Sequence, residues 1–201
     1  MRIFDRMDFF LTKALLAIVA VAVPVFSIGL PLAGWVRNRP LEWQLDGPDG
    51  LEATAVPDRL VAQDGVSLRG AESVVVRIEE AGAGPWVSVL LPGVLLSLAV
   101  GLAAWLLLRL LQRIEQREPF AAASATACRL LGATILLGSL AVSLALGLAD
   151  AVIAQRALDG AALGFAFEVP FVAFVAALLM LALAEAFAQG ARLQHDVEGL
   201  V

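Results

Sequence analysis

Four long stretches without a charged side chain constrain this chain more than any other feature. Ala14 to Val36, Ala81 to Leu108 and Leu130 to Ala149 contain no Asp, Glu, Lys or Arg, and Val169 to Ala184 is uncharged between Glu168 and Glu185. A helix rises about 1.5 Å per residue and the hydrocarbon core of a bilayer is about 30 Å thick, so about 20 mostly apolar residues cross it. The first three stretches meet that length. The fourth covers about 24 Å as helix, which makes a span once both glutamates sit near the interfaces rather than at the centre. Composition agrees. Of 201 residues 60% are hydrophobic and 16% charged, with a mean hydropathy of +0.86; soluble domains run at about 45–50% apolar and about 25% charged. The chain lacks the polar surface to cover a water-soluble particle and is too apolar for disorder.

The same counts exclude several function classes. Fourteen basic residues against nineteen acidic give a net charge of −5, without the basic footprint that direct nucleic-acid binding needs. Lys13 is the single lysine among the basic residues; with the abundance of Ala, Leu, Val and Gly this suggests a GC-rich bacterial coding sequence. One cysteine, Cys128, and one histidine, His195, form neither an intrachain disulfide nor a Cys/His metal centre. No GxSxG, HExxH, CxxC or phosphate-loop pattern occurs, so no catalytic, metal or cofactor residues are assigned and the expectation is a non-enzyme. His195 reads as a solvated tail residue. Cys128, beside Arg129, reads as an inert, partly buried thiol, against lipidation or redox activity.

The expected fold is an all-α membrane protein: four transmembrane helices with a small β-rich extracytoplasmic loop between the first and second. The boundaries run 1–13 (tail), 14–36 (helix 1), 37–84 (acidic outer loop), 85–112 (helix 2), 113–128 (link), 129–150 (helix 3), 151–162 (outer link), 163–187 (helix 4) and 188–201 (tail). Helix 1 competes with a cleaved signal peptide, but its apolar run is too long for an h-region, and Asp5 and Asp8 are unusual in an n-region. Pro24 and Pro31 inside it predict a kink in preference to a hinge. Lys and Arg near short loops orient a membrane protein. Arg2, Arg6, Lys13, Arg109, Arg113, Arg117, Arg129 and Arg192 stand on one side, against the sparser Arg37, Arg39, Arg59, Arg69, Arg77 and Arg156. This places both termini in the cytoplasm of a multi-pass inner-membrane protein.

Between Val36 and Trp86 nine acidic and five basic residues mark a change of solvent. Ser73 to Glu80 (SVVVRIEE) alternates like a strand, with Val74, Val76 and Ile78 on one face and Val75, Arg77 and Glu79 on the other. Asp64-Gly65 is a hairpin signal between LVAQ and VSLRG, and residues 46–50 form a second turn cluster. Two to four short strands are expected, resting on the helix ends against Trp43 and Trp86. Their reading is a solvated connector, with a ligand or partner surface as the alternative. Among the helices, Gly93/Ser97/Gly101 and Ser139/Ser143/Gly147 form rows of small residues that predict helix–helix faces. No ionisable residue sits at mid-membrane. Asp150 and Glu168 are placed to face one another at the outer ends, and Glu185 to pair with Arg129 or Arg109, while Arg109 otherwise snorkels to the headgroups.

Two stretches carry a resemblance. One is Arg117-Glu118-Pro119-Phe120, followed by Arg129-Leu130 and Gly132; the other is the ending LALAEAFAQGARLQHDVEGLV from Leu181 to Val201. Together they resemble the bacterial membrane family known as domain of unknown function 2975 (DUF2975), across all four spans. The resemblance implies a four-helix inner-membrane protein of no established activity. It also implies one partner, a small cytoplasmic helix-turn-helix regulator docking on the inner face. Physically, Pro119 should end the extension of helix 2 and let Phe120 tuck back among the helix ends. Gly190 should loosen or end helix 4, leaving Leu193, Val197 and Leu200 as an apolar stripe on the membrane or a partner, or a frayed tail. The candidate partner contacts are therefore Pro119, Phe120, Arg129, Glu185, Phe187, Gly190 and Leu193. The leading expectation is an interaction or regulatory component in the lipid bilayer, possible as a homo-oligomer. A small transporter or channel subunit is the alternative.

Overall fold

The structure is a computed structural model and describes residues 2–46, 66–67, 73–116, 122–157 and 169–198. Its elements are α1 (Arg2–Pro24), a π-helical turn (Val25–Gly29), α2 (Leu30–Val36), β1 (Leu41–Asp46), β2 (Val66–Ser67), β3 (Ser73–Ile78), α3 (Ala83–Glu115), α4 (Ala122–Ala157) and α5 (Phe171–Glu198). Among the described residues four helical segments are long and apolar enough to cross a membrane: Phe9–Val36, Ala83–Glu115, Ala123–Arg156 and Phe171–Leu193. The expected fold class is the observed one, with different boundaries. The helices run past the charges that bracket the apolar stretches, because a charged side chain does not stop a helix in water. Arg129 and Asp150, expected at the two ends of helix 3, consequently lie well inside α4. Helix 4 differs in the other direction and begins at Phe171. Pro170 stands immediately before it and its carbonyl accepts the helical bond of the Phe174 N–H at 3.0 Å. Leu163 to Glu168 lie outside the described residues.

The expected kink in the first span is a register change. Pro24 has no N–H to continue the α-helical ladder, and five residues of π-helix follow before α2 resumes with Pro31 in its first turn. The span then ends in a Schellman motif. Asn38 adopts φ 50°; its N–H donates to the Trp35 carbonyl and the Arg39 N–H donates to the Gly34 carbonyl, both at 3.0 Å. Asn tolerates the left-handed conformation better than most residues, and Pro40 bars any return to helix.

The described chain divides into two compact units. One comprises Val25–Val94 and Val142–Glu168. In it β1, β3 and β2 make an antiparallel sheet in that order. Trp43 lies opposite Val76, Leu41 opposite Ile78, and Val66 opposite Ile78 on the other side. Alternation puts Leu41, Trp43, Val76 and Ile78 on one face; Leu41 and Val76 are buried, while Glu42 and Arg77 meet on the other at 3.6 Å. The two faces expected of β3 are thus observed. The Asp64-Gly65 turn and LVAQ lie outside the described residues; the hairpin that is described joins Val66–Ser67 to β3. The sheet reaches α4 through Trp43, whose Nε1 donates to the Asp150 carboxylate at 2.7 Å. Asp150 thus takes a tryptophan, and Glu168, its expected neighbour, lies outside the described residues. Trp86 stacks on Trp35 with ring centroids 6.4 Å apart.

In this unit the π-turn packs on α3 backbone to backbone. A Cβ added to Gly93 would stand 2.2 Å from the Ser27 carbonyl oxygen, and the Ser27 hydroxyl donates to the Gly93 carbonyl at 3.3 Å. The first small-residue row is therefore half right. Gly93 is a packing face, whereas Gly101 is exposed with nothing within 4 Å of an added Cβ. In the second row Gly147 is buried, but the Ser139 hydroxyl turns to its own helix, donating to Leu136 O at 2.9 Å.

The other unit comprises Met1–Pro24, Leu95–Ala141 and Val169–Val201. Here α3 and α4 approach through Ala99 and Gly138, where an added Cβ would lie 2.7 Å from that of Ala99. Steps of seven from that contact reach Leu106 on α3 and Leu131 on α4, both buried. A close approach followed by a buried residue seven positions on in each helix is the pattern of a coiled-coil seam. On α5, Ala177 and Met180 cover Gly132, with the Ala177 carbonyl 3.1 Å from where a Cβ would sit. α1 joins α3 through Lys13 Nζ to Glu115 Oε2 at 2.7 Å. Much of the remaining described helical surface is apolar and open, as at Phe10 and Val172, the surface a lipid solvent requires.

Candidate partner-contact site

The site expected from sequence combined the link after α3 with α4 and the end of α5. Of its residues, Pro119 and Phe120 lie outside the described residues. Arg129, Glu185, Phe187, Gly190 and Leu193 are described. The structure brings two of these together across helices: Arg129 Nη2 of α4 lies 3.8 Å from Glu185 Oε2 of α5, and both side chains are more than half exposed. One turn on, Gln189 Nε2 donates to Glu185 Oε1 at 3.4 Å. Arg109, the other partner considered for Glu185, instead lays its guanidinium over the Trp105 ring, 3.9 Å from the centroid. That is a cation–π contact between residues one helical turn apart.

Helical spacing orders the remaining residues. Glu185, Gln189 and Leu193 follow one another at steps of four, so they share one face of α5. Leu193 is 67% exposed and continues that face. Ala184, fully buried, and the half-buried Phe187 lie on the side turned inward. Gly190 neither ends nor breaks the helix: α5 runs through it to Glu198. The expected stripe of Leu193, Val197 and Leu200 therefore begins on a helix rather than a tail; Leu200 lies outside the described residues. Sequence reasoning missed Gln189, although its spacing from Glu185 was a readable signal.

Arg129 and Glu185 stand inside segments long enough to cross a membrane, six residues from Ala123 and eight from Leu193. An ion pair on a water-exposed surface is worth little. Facing the interfacial region of a bilayer, where the dielectric falls, the same pair is stronger and costly to leave unmatched. It offers a partner one donor fork and one acceptor set beside the apolar Leu193. Cys128, next to Arg129, is 1% exposed, so its thiol is shut away from this surface.

Four spanning helices and an apolar outer surface make this an integral, multi-pass membrane protein. Residues 52–200 match the family model described as Protein of unknown function (DUF2975), and the chain belongs to that family. The match takes in the last three spans and much of the loop between the first two. No curated protein and no solved structure matches the chain.

Proposed function

We propose that the protein is a non-enzymatic interaction or regulatory component of a bacterial inner membrane, with both termini in the cytoplasm. Its partner contacts the link containing Pro119 and Phe120 and the α5 segment from Glu185 onward. The observation that carries this reading is the exposed polar row of Arg129, Glu185 and Gln189, continued by Leu193 on the same side of α5. A lipid-facing helix has no use for such a row, whereas a partner with complementary charge and an apolar pocket does. A small cytoplasmic regulator is the kind of partner the family resemblance implies, and the density of basic residues on that side supports the orientation.

The test is cross-linking in intact membranes followed by purification from detergent. The parent chain is compared with Glu185→Ala, Leu193→Ala and Phe120→Ala. A partner that cross-links to the parent and is lost from these variants supports the reading. The same cross-linked partners in the parent and all three variants, or substrate flux by the purified chain in proteoliposomes, overturn it.

A further inference from the structure

The α3–α4 seam ends in two buried polar atoms that have no partner among the described residues. Arg113 lies two heptads beyond Ala99 on α3, and Ser124 two heptads before Gly138 on α4. Equal steps along antiparallel helices keep the level equal, about 21 Å from the Ala99–Gly138 contact at 1.5 Å per residue. Leu106 and Leu131, midway, are buried, and the connection from Gln116 to Ala122 is short. At this level Arg113 Nη1 and Ser124 Oγ are both buried without a hydrogen-bond partner among the described residues, and Ser124 as a whole is 0% exposed. Ser124 belongs to the first turn of a 36-residue helix with no acidic residue in that turn. The N–H groups there have no intrahelical acceptor, and the helix dipole adds positive potential. Side chains of a helix lean toward its N-terminus, so the hydroxyl is directed over the same turn. The carboxylate nearest in sequence on α3, Glu115, is held by Lys13.

One guanidinium nitrogen and one hydroxyl lack a partner among the described residues, beside a helix N-terminus whose N–H groups and dipole favour negative charge, and together they are the complement of an oxyanion. Arg113 is otherwise half-exposed and Ala123 is exposed, so this end of the seam lies at the edge of the helix pair. Arg109, one turn earlier on α3, sits on Trp105 at the expected depth of the headgroups. We propose that this end of the α3–α4 pair binds a phosphate-class anion, a lipid phosphodiester or free phosphate, between Arg113, Ser124 and the first turn of α4.

The experiment uses the purified full chain in a maltoside detergent, titrated separately with phosphatidylglycerol and with inorganic phosphate. Thermal midpoint and native mass spectrometry are the readouts. A saturable rise in midpoint is expected, with the apparent affinity falling at least tenfold in Arg113→Gln and Ser124→Ala and unchanged in the exposed Arg192→Gln. Without added anion Ser124→Ala should be at least as stable as the parent, since it removes a buried hydroxyl that has no partner; weaker binding by that variant is then no folding defect. Protection by phosphatidylglycerol alone assigns a lipid phosphodiester, and equal protection by inorganic phosphate, competing with the lipid, assigns a soluble anion. The proposal is overturned if neither probe protects the parent or if Arg113→Gln and Ser124→Ala bind as the parent does. It is also overturned if Glu118→Gln, in the adjoining link, gains tenfold in binding, because the chain's own carboxylate would then fill the place.

Discussion

Gly93 is required by what stands against it. Its missing Cβ leaves the space occupied by the Ser27 carbonyl, which belongs to backbone and cannot turn aside. Gly93→Ala should therefore destabilise the protein by about 1–3 kcal/mol or more, read as a lower thermal midpoint in detergent. Gly101→Ala should be neutral or stabilising by up to about 1 kcal/mol, because nothing lies within reach of its Cβ and Ala is the better helix former. Trp43 offers a second single-residue test. Its indole N–H donates to a carboxylate at 2.7 Å, and a hydrogen bond to a charged group is worth about 1.5–3 kcal/mol. Trp43→Phe should lose about that much stability in a denaturation measured on the intact chain. A double-mutant cycle with Asp150→Asn should show the two changes to be coupled rather than additive. Neither requirement can be read from residue type alone: Gly93 and Gly101 occupy the same small-residue row, and only the neighbour separates them.

At the scale of elements, the helices were legible and their faces were not. Apolar length gave four spans, since satisfying the backbone in oil leaves helix as the form for each. Charge marks where an apolar stretch stops, not where the helix stops, and the helices run past it. Proline and the left-handed Asn38 are the physical stops, at Pro170 and after Val36. The alternation of β3 was legible because one face meets water. The α3–α4 seam was not, because a helix that is apolar all round shows no stripe to read. That seam gives a prediction. Leu106 is buried in it while Leu102, one turn away, is exposed. Leu106→Ala should cost toward the lower end of about 2–5 kcal/mol, since lipid solvates an exposed leucine as well as protein does and the cavity accounts for most of the loss. Leu102→Ala should cost far less in the same unfolding measurement.

For the molecule as a whole, the decisive quantity is the number of crossings. Four spans are an even number, so reporters fused to the two ends should be active on the same side of the membrane. Activity on opposite sides would remove one of the four helices from the bilayer. The candidate partner surface was legible in part for a related reason. Arg129 and Glu185 were expected to pair because position along a span translates directly into depth, and depth is shared by every helix that crosses. Depth alone left Arg109 as an equal option; Arg109 lies over Trp105 one turn away on its own helix, and the packing of α4 on α5 brings Arg129 beside Glu185.

What the sequence determined by itself is the solvent, the count of spans and the polar loop between the first two. These follow from how much charge each stretch carries, a property of the chain that needs no fold. The tertiary structure decided which small residues are packed, where the heptad seam runs, and which polar groups meet. Those depend on helix rotation and register, and an Ala- and Leu-rich helix offers many rotations of nearly equal local energy. Only the neighbour's shape, a Ser27 carbonyl at Gly93 or an Ala99 methyl at Gly138, selects one of them.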